Sequence, residues 1–510
     1  MDSSISSNKR IAKNTAMLYL RLLISIVVGL FTSRVVLQTL GVADYGIFGV
    51  VGGVVSMFTF LNSAMSGATS RFLTFEMGRG DQRKLSDTFC SALMVHFGIA
   101  LIILVLAETI GLWFLCNKLV IPAGRMSAAH VVYQCSILGM VFAVMQVPFS
   151  AAIIAHEKMD VFAYIELLNV FLKLGMVFCL LIGNFDKLIL YSVLVLCVHA
   201  FISFVYAFYG LRHFPETHFR WVWRKDILIG LTSFSGYNLF GNFGAVFNLQ
   251  GINFLINIFF GVILNAASSV ASTVSGIING FVSNIVMAFR PPITKAYAQG
   301  DIDKVQSLMS LSLKSAILIH SFFVVPLLLE LETVLEIWLG IVPQYAAVFC
   351  RLILISIYFE TIRYILVIAI HAVGKVKNVS LATGICYMLN PCIIYLFLKF
   401  GAGPEITYVG NIVLNIILIG WIAYLLHQYI PSLSLKALLH ASLPAFVVAS
   451  IVLIVVASAS RYLGTGFFRV AIVTLMSALF ISALSYVFCL NHAQRNFVIT
   501  KIKTTLHLNG

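Results

Sequence analysis

Apolar residues in this sequence come in blocks of about 18–25, the length at which an α-helix crosses a hydrocarbon core of roughly 30 Å. Backbone groups facing lipid must be hydrogen-bonded within their own segment, so such blocks are helices. They are continuously apolar and lack the two-residue alternation of a membrane barrel strand. Only 10% of residues are charged and 60% are hydrophobic, far from the roughly 25% charge of a soluble domain. The reading is an all-α polytopic membrane protein of about fourteen transmembrane helices. Spans are expected at 15–38, 46–68, 88–116, 129–155, 161–183, 188–209, 227–259, 264–289, 308–331, 344–370, 379–399, 406–427, 440–459 and 469–490. The block at 227–259 is too long for one straight helix and is expected to begin with an interfacial or bent turn.

A net charge of +14 would suggest nucleic acid in a soluble protein; here its distribution orients the chain. With the N-terminus inside, inner segments hold 21 Lys and Arg, from Lys9, Arg10 and Lys13 to Arg495, Lys501 and Lys503, against six in the outer loops. The positive-inside rule then places both termini in the cytoplasm. The basic start runs into a full-length span without a small-residue cleavage site, so no removable signal peptide is expected. The nine cysteines show no CxxC or paired spacing and read as small hydrophobes, not disulfides or metal ligands.

A repeat lies at an offset of 220 residues. Gly41-Val42 matches Gly261-Val262, and Thr74, Gly80-Asp81 and Lys84 match Thr294, Gly300-Asp301 and Lys304. Six spans separate the copies, an even number, so both run in the same direction, as in transporters built from parallel repeats. The expected division is a six-helix bundle over 1–222, a second over 223–430, and two additional helices with a cytoplasmic tail over 431–510.

Charges inside spans are costly and mark cavities or polar partners. Six are basic (Arg21, Arg34, Lys173, Lys314, Arg351, Arg363) and three acidic (Glu108, Glu166, Glu360). Arg21, Arg34 and Lys314 lie near enough to span ends to snorkel as anchors. Lys173 lies near mid-span, where snorkelling is hardest. Glu166, Asn169 and Lys173 share one helical face at i, i+3, i+7, which suits either a packing ion pair or a protonatable switch beside an anion site. Glu360 and Arg363 repeat the pairing at i, i+3. Asn238, Asn242, Gln250, Asn253 and Asn257 fall within about 120° of a helical wheel, a stripe for interhelical hydrogen bonds or for a hydrated cavity. The cationic excess favours an anionic cargo, with phosphate or carboxylate the natural counterpart of arginine.

The loop RHFPETHFRWVWRKD interleaves aromatics with Arg. Trp221 and Trp223 beside Arg220, Arg224 and Lys225 fit a bilayer interface better than a nucleic-acid patch. No G-x-S-x-G, HExxH, Walker or DxD motif occurs, and no connection is long enough to hold a soluble catalytic domain. His96, His199 and His320 read as hydrogen-bonded interior residues.

The N-terminal stretch through LGVADYGIFG (Leu40–Gly49), followed by SGATSRFLTFEMGRGD, resembles the Wzx-type polysaccharide flippases of the multidrug/oligosaccharidyl-lipid/polysaccharide (MOP) exporter superfamily. It is specific over about the first 85 residues and extends further only as topology and repeat. The resemblance implies two six-helix bundles around a cavity open alternately to each side of a bacterial inner membrane. It also implies a cargo of undecaprenyl-diphosphate-linked oligosaccharide, a precursor of O-antigen or capsule in lipopolysaccharide and polysaccharide biosynthesis. No cofactor is implied beyond H+ or Na+ coupling, for which Glu108, Glu166 and Glu360 are the candidates. Membrane lipids and other polysaccharide-assembly proteins are the implied partners. The rival readings are a multidrug/cation antiporter of the same fold and a polytopic polymerase or ligase.

Overall fold

A computed structural model describes residues 2–156, 158–182, 185–222, 224, 236–489 and 495; within these, side chains at 2–22, 236–239, 283–288 and a few single positions such as Arg71 lie outside the description. All regular structure among the described residues is helical. The N-terminal part contains α1 (Asp2–Ser56), α2 (Thr59–Arg79), α3 (Gln82–Leu106), α4 (Leu112–Asn117), α5 (Met126–Ala155), α6 (Met159–Leu180) and α7 (Lys187–His213). Then come α8 (Gly236–Phe260), α9 (Val262–Ala298), α10 (Ile302–Leu339), α11 (Ala346–Val373), α12 (Lys377–Lys399), α13 (Ile406–Tyr429), α14 (Leu435–Ser460) and α15 (Phe467–Phe488).

Thirteen described stretches are long and apolar enough to cross a membrane, against fourteen expected. The difference lies in the first two spans. The connection expected at 39–45 is helical apart from a kink at Gly41, with φ 76° and ψ 169°. Gly41 is the only residue of that segment with a positive φ, so one kink replaces a loop and the two spans count as one stretch. The helix after the kink breaks at Met57–Phe58 and resumes as α2, which carries it to Arg79. Elsewhere α9 and α10 run to Ala298 and from Ile302, well into the connection expected between 289 and 308. Lys295, Ala296, Ala298 and Lys304 favour helix, which a count of apolar residues does not register. The expected bent entry to the 227–259 block lies outside the described residues up to 235.

The two copies of the repeat share local geometry. Gly41 and Gly261 take φ of 76° and 80°, and Gly80 and Gly300 both take 72°. After each of the latter, an aspartate accepts a hydrogen bond from the backbone N–H three residues on: Asp81 from Lys84 at 3.1 Å and Asp301 from Lys304 at 3.0 Å. Thr74 and Thr294 each donate to the carbonyl four residues earlier. A left-handed glycine closing one helix and an aspartate N-cap opening the next form a tight helix–helix turn.

The chain divides into two compact units, one of residues 1–269 with 338–346 and 380–407, the other of 270–337 with 347–379 and 408–510. In the first, the apolar helix faces sort by position. On α3, Ile99 and Ile103 are buried while Leu101, Ile102 and Val105 face outward, the arrangement expected when lipid is the solvent. Val50, Val54, Tyr133, Ile137, Val177 and Leu180 build one core, and Leu73, Phe89, Ile153, Ile202 and Tyr206 another. In the second unit, Ile317 and Val325 of α10 pack against Val448 and Val452 of α14 and Val473 and Ile481 of α15. The α10 kink at Glu330 places that buried carboxylate 2.7 Å from Nε of Arg469.

Three residues expected in or beside outer loops meet in the first unit. Arg125 donates to both oxygens of Asp44 at 2.9 and 2.6 Å and to both oxygens of Asp186 at 2.6 and 3.0 Å. The Arg125 hydrogen bond, helped by the backbone N–H groups of Ile189 and Leu188, holds the Asp186 carboxyl below the usual carboxylate range despite some opposing desolvation. A depressed folded-state pKa means its stabilisation is complete above the unfolded value of about 3.9 and fades as pH falls through the lower folded value. Side-chain exposures of 18–32% place this network between surface and buried pairs. Arg125→Ala is expected to destabilise the protein by about 1–2 kcal/mol, read as a lower melting temperature in detergent at pH 7. Asp186→Asn is expected to cost less at pH 7 and to remove part of the stability loss on acidification below about pH 4.

Candidate functional site

The face of α6 that carries Glu166, Asn169 and Lys173 is half-buried, whereas Tyr164, Leu168, Phe171 and Phe178 point outward. Seven residues span two helical turns, about 10.5 Å of rise, so Glu166 and Lys173 are too far apart along the helix for an intimate pair. Glu166 instead accepts a hydrogen bond from the hydroxyl of buried Tyr206 on α7, at 3.0 Å. No hydrogen bond or ion pair joins Lys173 to another group among the described residues. Its ammonium is close enough to Glu166 and to His199 to act on both electrostatically. His199 lines a cavity of about 220 Å³ in the first unit, whose polar lining includes Ser56, Thr59, Ser136 and Ser192.

Much of the amide stripe on α8 is engaged in packing. Asn257 is fully buried; its side chain accepts from Val120 N–H at 2.7 Å and donates to Asn265 at 2.9 Å and to the Val120 carbonyl at 3.3 Å. Asn265 donates to the backbone and side-chain oxygens of Asn253 at 2.8 and 2.7 Å, and Asn253 donates to the Gly49 carbonyl at 3.4 Å. Asn242 and Gln250 are half-buried on the same helix. The side chain of Asn238 lies outside the described residues. A second amide pair, Asn390 donating to Asn248 at 2.8 Å, ties α12 to α8.

The remaining candidates separate. Arg34 is half-buried in α1, and the side chain of Arg21 lies outside the described residues. Lys314 donates to the Cys489 carbonyl at the end of α15, at 2.8 Å. Arg351 pairs with Glu332 at 3.0 Å in an exposed contact. Arg363 donates to Asn415 at 3.0 Å, and among the described residues no ion pair joins it to Glu360, which is half-buried. Thus Lys314, Arg351 and Arg363 turn to three different partners and do not converge. Glu108 sits in a π-helical turn, Ala107–Gly111, and accepts from Gln134 at 3.3 Å.

Several functional-looking groups carried no expectation. Tyr206 and Asn265 were invisible because neither stands out in an apolar helix until its partner is known. The aromatic–basic loop folds back on α3: Arg220 donates to Ser86 at 3.2 Å and Arg224 lies 3.5 Å from Asp87, while Trp221 is 78% exposed, as an interfacial ring would be. Trp223 and Lys225 lie outside the described residues. Within that loop, buried Glu216 accepts from Gln82 at 3.2 Å and meets His156 at 2.5 Å. His96 and His320 are both buried, with hydrogen-bond contacts to the Ala92 carbonyl and to Thr361.

Asn257 makes the sharpest test of the amide network. Asn257→Leu leaves the Val120 N–H and the side-chain oxygen of buried Asn265 without these partners and is expected to cost about 2–3 kcal/mol, seen as reduced thermal stability in detergent.

No family model and no curated protein sequence matches the chain. Solved structures do. The lipid II flippase MurJ in an inward closed conformation is similar with a TM-score of 0.69, at 13% identity, over 92% of this chain and 98% of that one. An inward-facing multidrug resistance MATE family transporter of the MOP superfamily gives 0.65, at 13% identity, over 80% and 95%. A MOP superfamily transporter from Pyrococcus furiosus, described by the reverse polarity of its binding pocket, gives 0.57, at 12% identity, over 82% and 96%. The chain has the fold of the MOP-superfamily transporters, that of an integral multi-pass membrane protein.

Proposed function

We propose that this protein is a flippase of the Wzx type. It moves an undecaprenyl-diphosphate-linked oligosaccharide from the inner to the outer leaflet of a bacterial inner membrane by alternating access between two six-helix repeats. Both termini face the cytoplasm, and the protein carries out transport rather than catalysis. The observation that carries this reading is the whole-length likeness to a lipid flippase. The match to MurJ extends over about an eighth more of the chain than the match to the MATE transporter. The greater extent of the match favours a lipid cargo over a drug.

The charge pattern supports an anionic headgroup. Lys173 is the leading candidate for holding the diphosphate, because it is half-buried at mid-helix with an ammonium that no described side chain neutralises by direct contact. Arg21 and Arg34 are the other basic candidates of the first unit, whereas Lys314, Arg351 and Arg363 of the second are engaged with Cys489, Glu332 and Asn415. A reverse-polarity pocket in one transporter of this fold means that the sign of the cavity varies among its members. Glu166, held by Tyr206 two turns from Lys173, is the best placed of the three acidic coupling candidates for H+ or Na+.

In a strain whose surface glycan depends on this protein, Lys173→Ala is expected to lower glycan export at least about tenfold at unchanged protein level, the loss of one charge-assisted contact. Lys173→Arg should retain most of it. Undiminished glycan in Lys173→Ala removes Lys173 from the site, and protection of the strain against toxic organic cations would favour the antiporter reading instead.

A further inference from the structure

The largest cavity described in the first unit plays no part in the proposed headgroup chemistry. It measures about 630 Å³ and is walled by Val54, Met57, Phe58 and Phe60, by the π-turn with Phe114, by the Phe243–Ile258 face of α8, and by Pro391–Leu396 of α12. Apart from the Cys392 thiol and the Tyr395 hydroxyl, every lining side chain is hydrocarbon or thioether. Water needs two to four polar partners and finds almost none here. Left empty, the walls would lose their dispersion contacts on one side. The occupant is therefore hydrocarbon.

The walls are built for it rather than left over. Three of the contributing segments are irregular where they meet the cavity: the helix breaks at Met57–Phe58, α3 passes through the π-turn Ala107–Gly111, and α12 carries Pro391 in its interior. Such irregularities in membrane helices are tolerated where they shape a site. The rings are fixed against one another, Phe60 on Phe243 and Phe114 on Phe254, both at 4.8 Å between centroids. Moreover, the segment that breaks has two sides. Gly52, Val55, Ser56 and Thr59 face the smaller cavity that holds His199 near Lys173, while Val54, Met57, Phe58 and Phe60 face the apolar one. A short stretch of helix thus divides a small cavity lined in part by hydroxyls and an imidazole from one lined almost wholly by hydrocarbon.

The geometry points to this cavity as the seat of the polyprenyl chain of the cargo, a reading that rests on the flippase assignment above. A methyl-branched chain with in-chain double bonds is thicker than a linear acyl chain and presents alkene faces to the aromatic walls. An anionic headgroup on the same molecule would meet the Ser56 and Thr59 hydroxyls on the other side of the broken segment.

The test uses the full-length protein in nanodiscs with two probes, a polyprenyl diphosphate and a phosphatidylcholine, each bearing one diazirine in its hydrocarbon chain. On photolysis the polyprenyl probe should label peptides containing Phe243–Ile258 or Pro391–Leu396, unlabelled polyprenyl phosphate should compete, and the phosphatidylcholine probe should not concentrate there. Ile258→Trp and Leu396→Trp, which fill the cavity from its lipid-facing rim, should each lower that labelling about fivefold or more while melting normally. Equal labelling by the phosphatidylcholine probe, failure of competition, labelling spread over all lipid-facing helices, or unchanged labelling in both filled variants would overturn the proposal. Specific labelling in a protein that exports no glycan would leave the cavity assignment standing and sink the flippase. Export without labelling here would do the reverse.

Discussion

In hydrocarbon, a backbone N–H or C=O that leaves its helical partner has no water to turn to, and this constraint organises the structure. Several departures from regular helix are met by a side chain. At the π-turn Ala107–Gly111 the Ala107 carbonyl accepts from the Leu112 N–H and also from the Tyr133 hydroxyl at 2.6 Å, and a Cβ on Gly111 would come within 2.2 Å of that hydroxyl oxygen. At the Met57–Phe58 break, Ser56 and Thr59 donate to the carbonyls of Gly53 and Ser56. Asn257 satisfies both backbone groups of Val120, and Lys187 and Lys314 cap the carbonyls of Leu180 and Cys489. Polar residues within apolar helices here serve the backbone first, and what remains unengaged, above all Lys173, stands out for that reason.

The same constraint separates what the sequence could reveal from what it could not. Span number, helix type and the 220-residue repeat depend on local composition and on single residues such as Gly80, Asp81, Gly300 and Asp301, so they were legible. The first two spans were harder to place, because one glycine kink stands where a loop was expected and the break lies at Met57–Phe58, whose residues carry no breaker signal. The candidate site was legible only in part. Helical spacing put Glu166 and Lys173 on one face, but their real neighbours, Tyr206 and His199, come from another helix and have no spacing relation to them. Likewise, nothing short of the fold could tell that Asn253 and Asn257 share hydrogen bonds with Asn265. Asp44 lies within the LGVADYGIFG segment that carried the family resemblance, yet its partner Arg125 is 81 residues away, and Asp186, which shares that arginine, is 142 away.

The proposed function rests on the asymmetry of what is left after packing. Within the first unit, a half-buried ammonium acts on His199, which lines a small cavity with the hydroxyls of Ser56 and Thr59, and a hydrocarbon cavity lies across one broken helix. An amphiphile with an anionic head matches both halves, whereas an organic cation matches neither the charge nor the division. The likeness to MurJ and to the MATE transporter is a likeness of fold, along nearly the entire chain in the first case.

The most direct measurement of the central claim is translocation itself. Purified protein reconstituted in liposomes, given a fluorescent polyprenyl-diphosphate oligosaccharide on one leaflet, should expose that lipid to a membrane-impermeant quencher on the other at a rate well above protein-free vesicles. The rate should depend on an imposed ion gradient and on the diphosphate, and a neutral polyprenol glycoside should not be carried. Translocation no faster than in empty liposomes, under either polarity of gradient, or equal transport of the neutral lipid, would contradict the account.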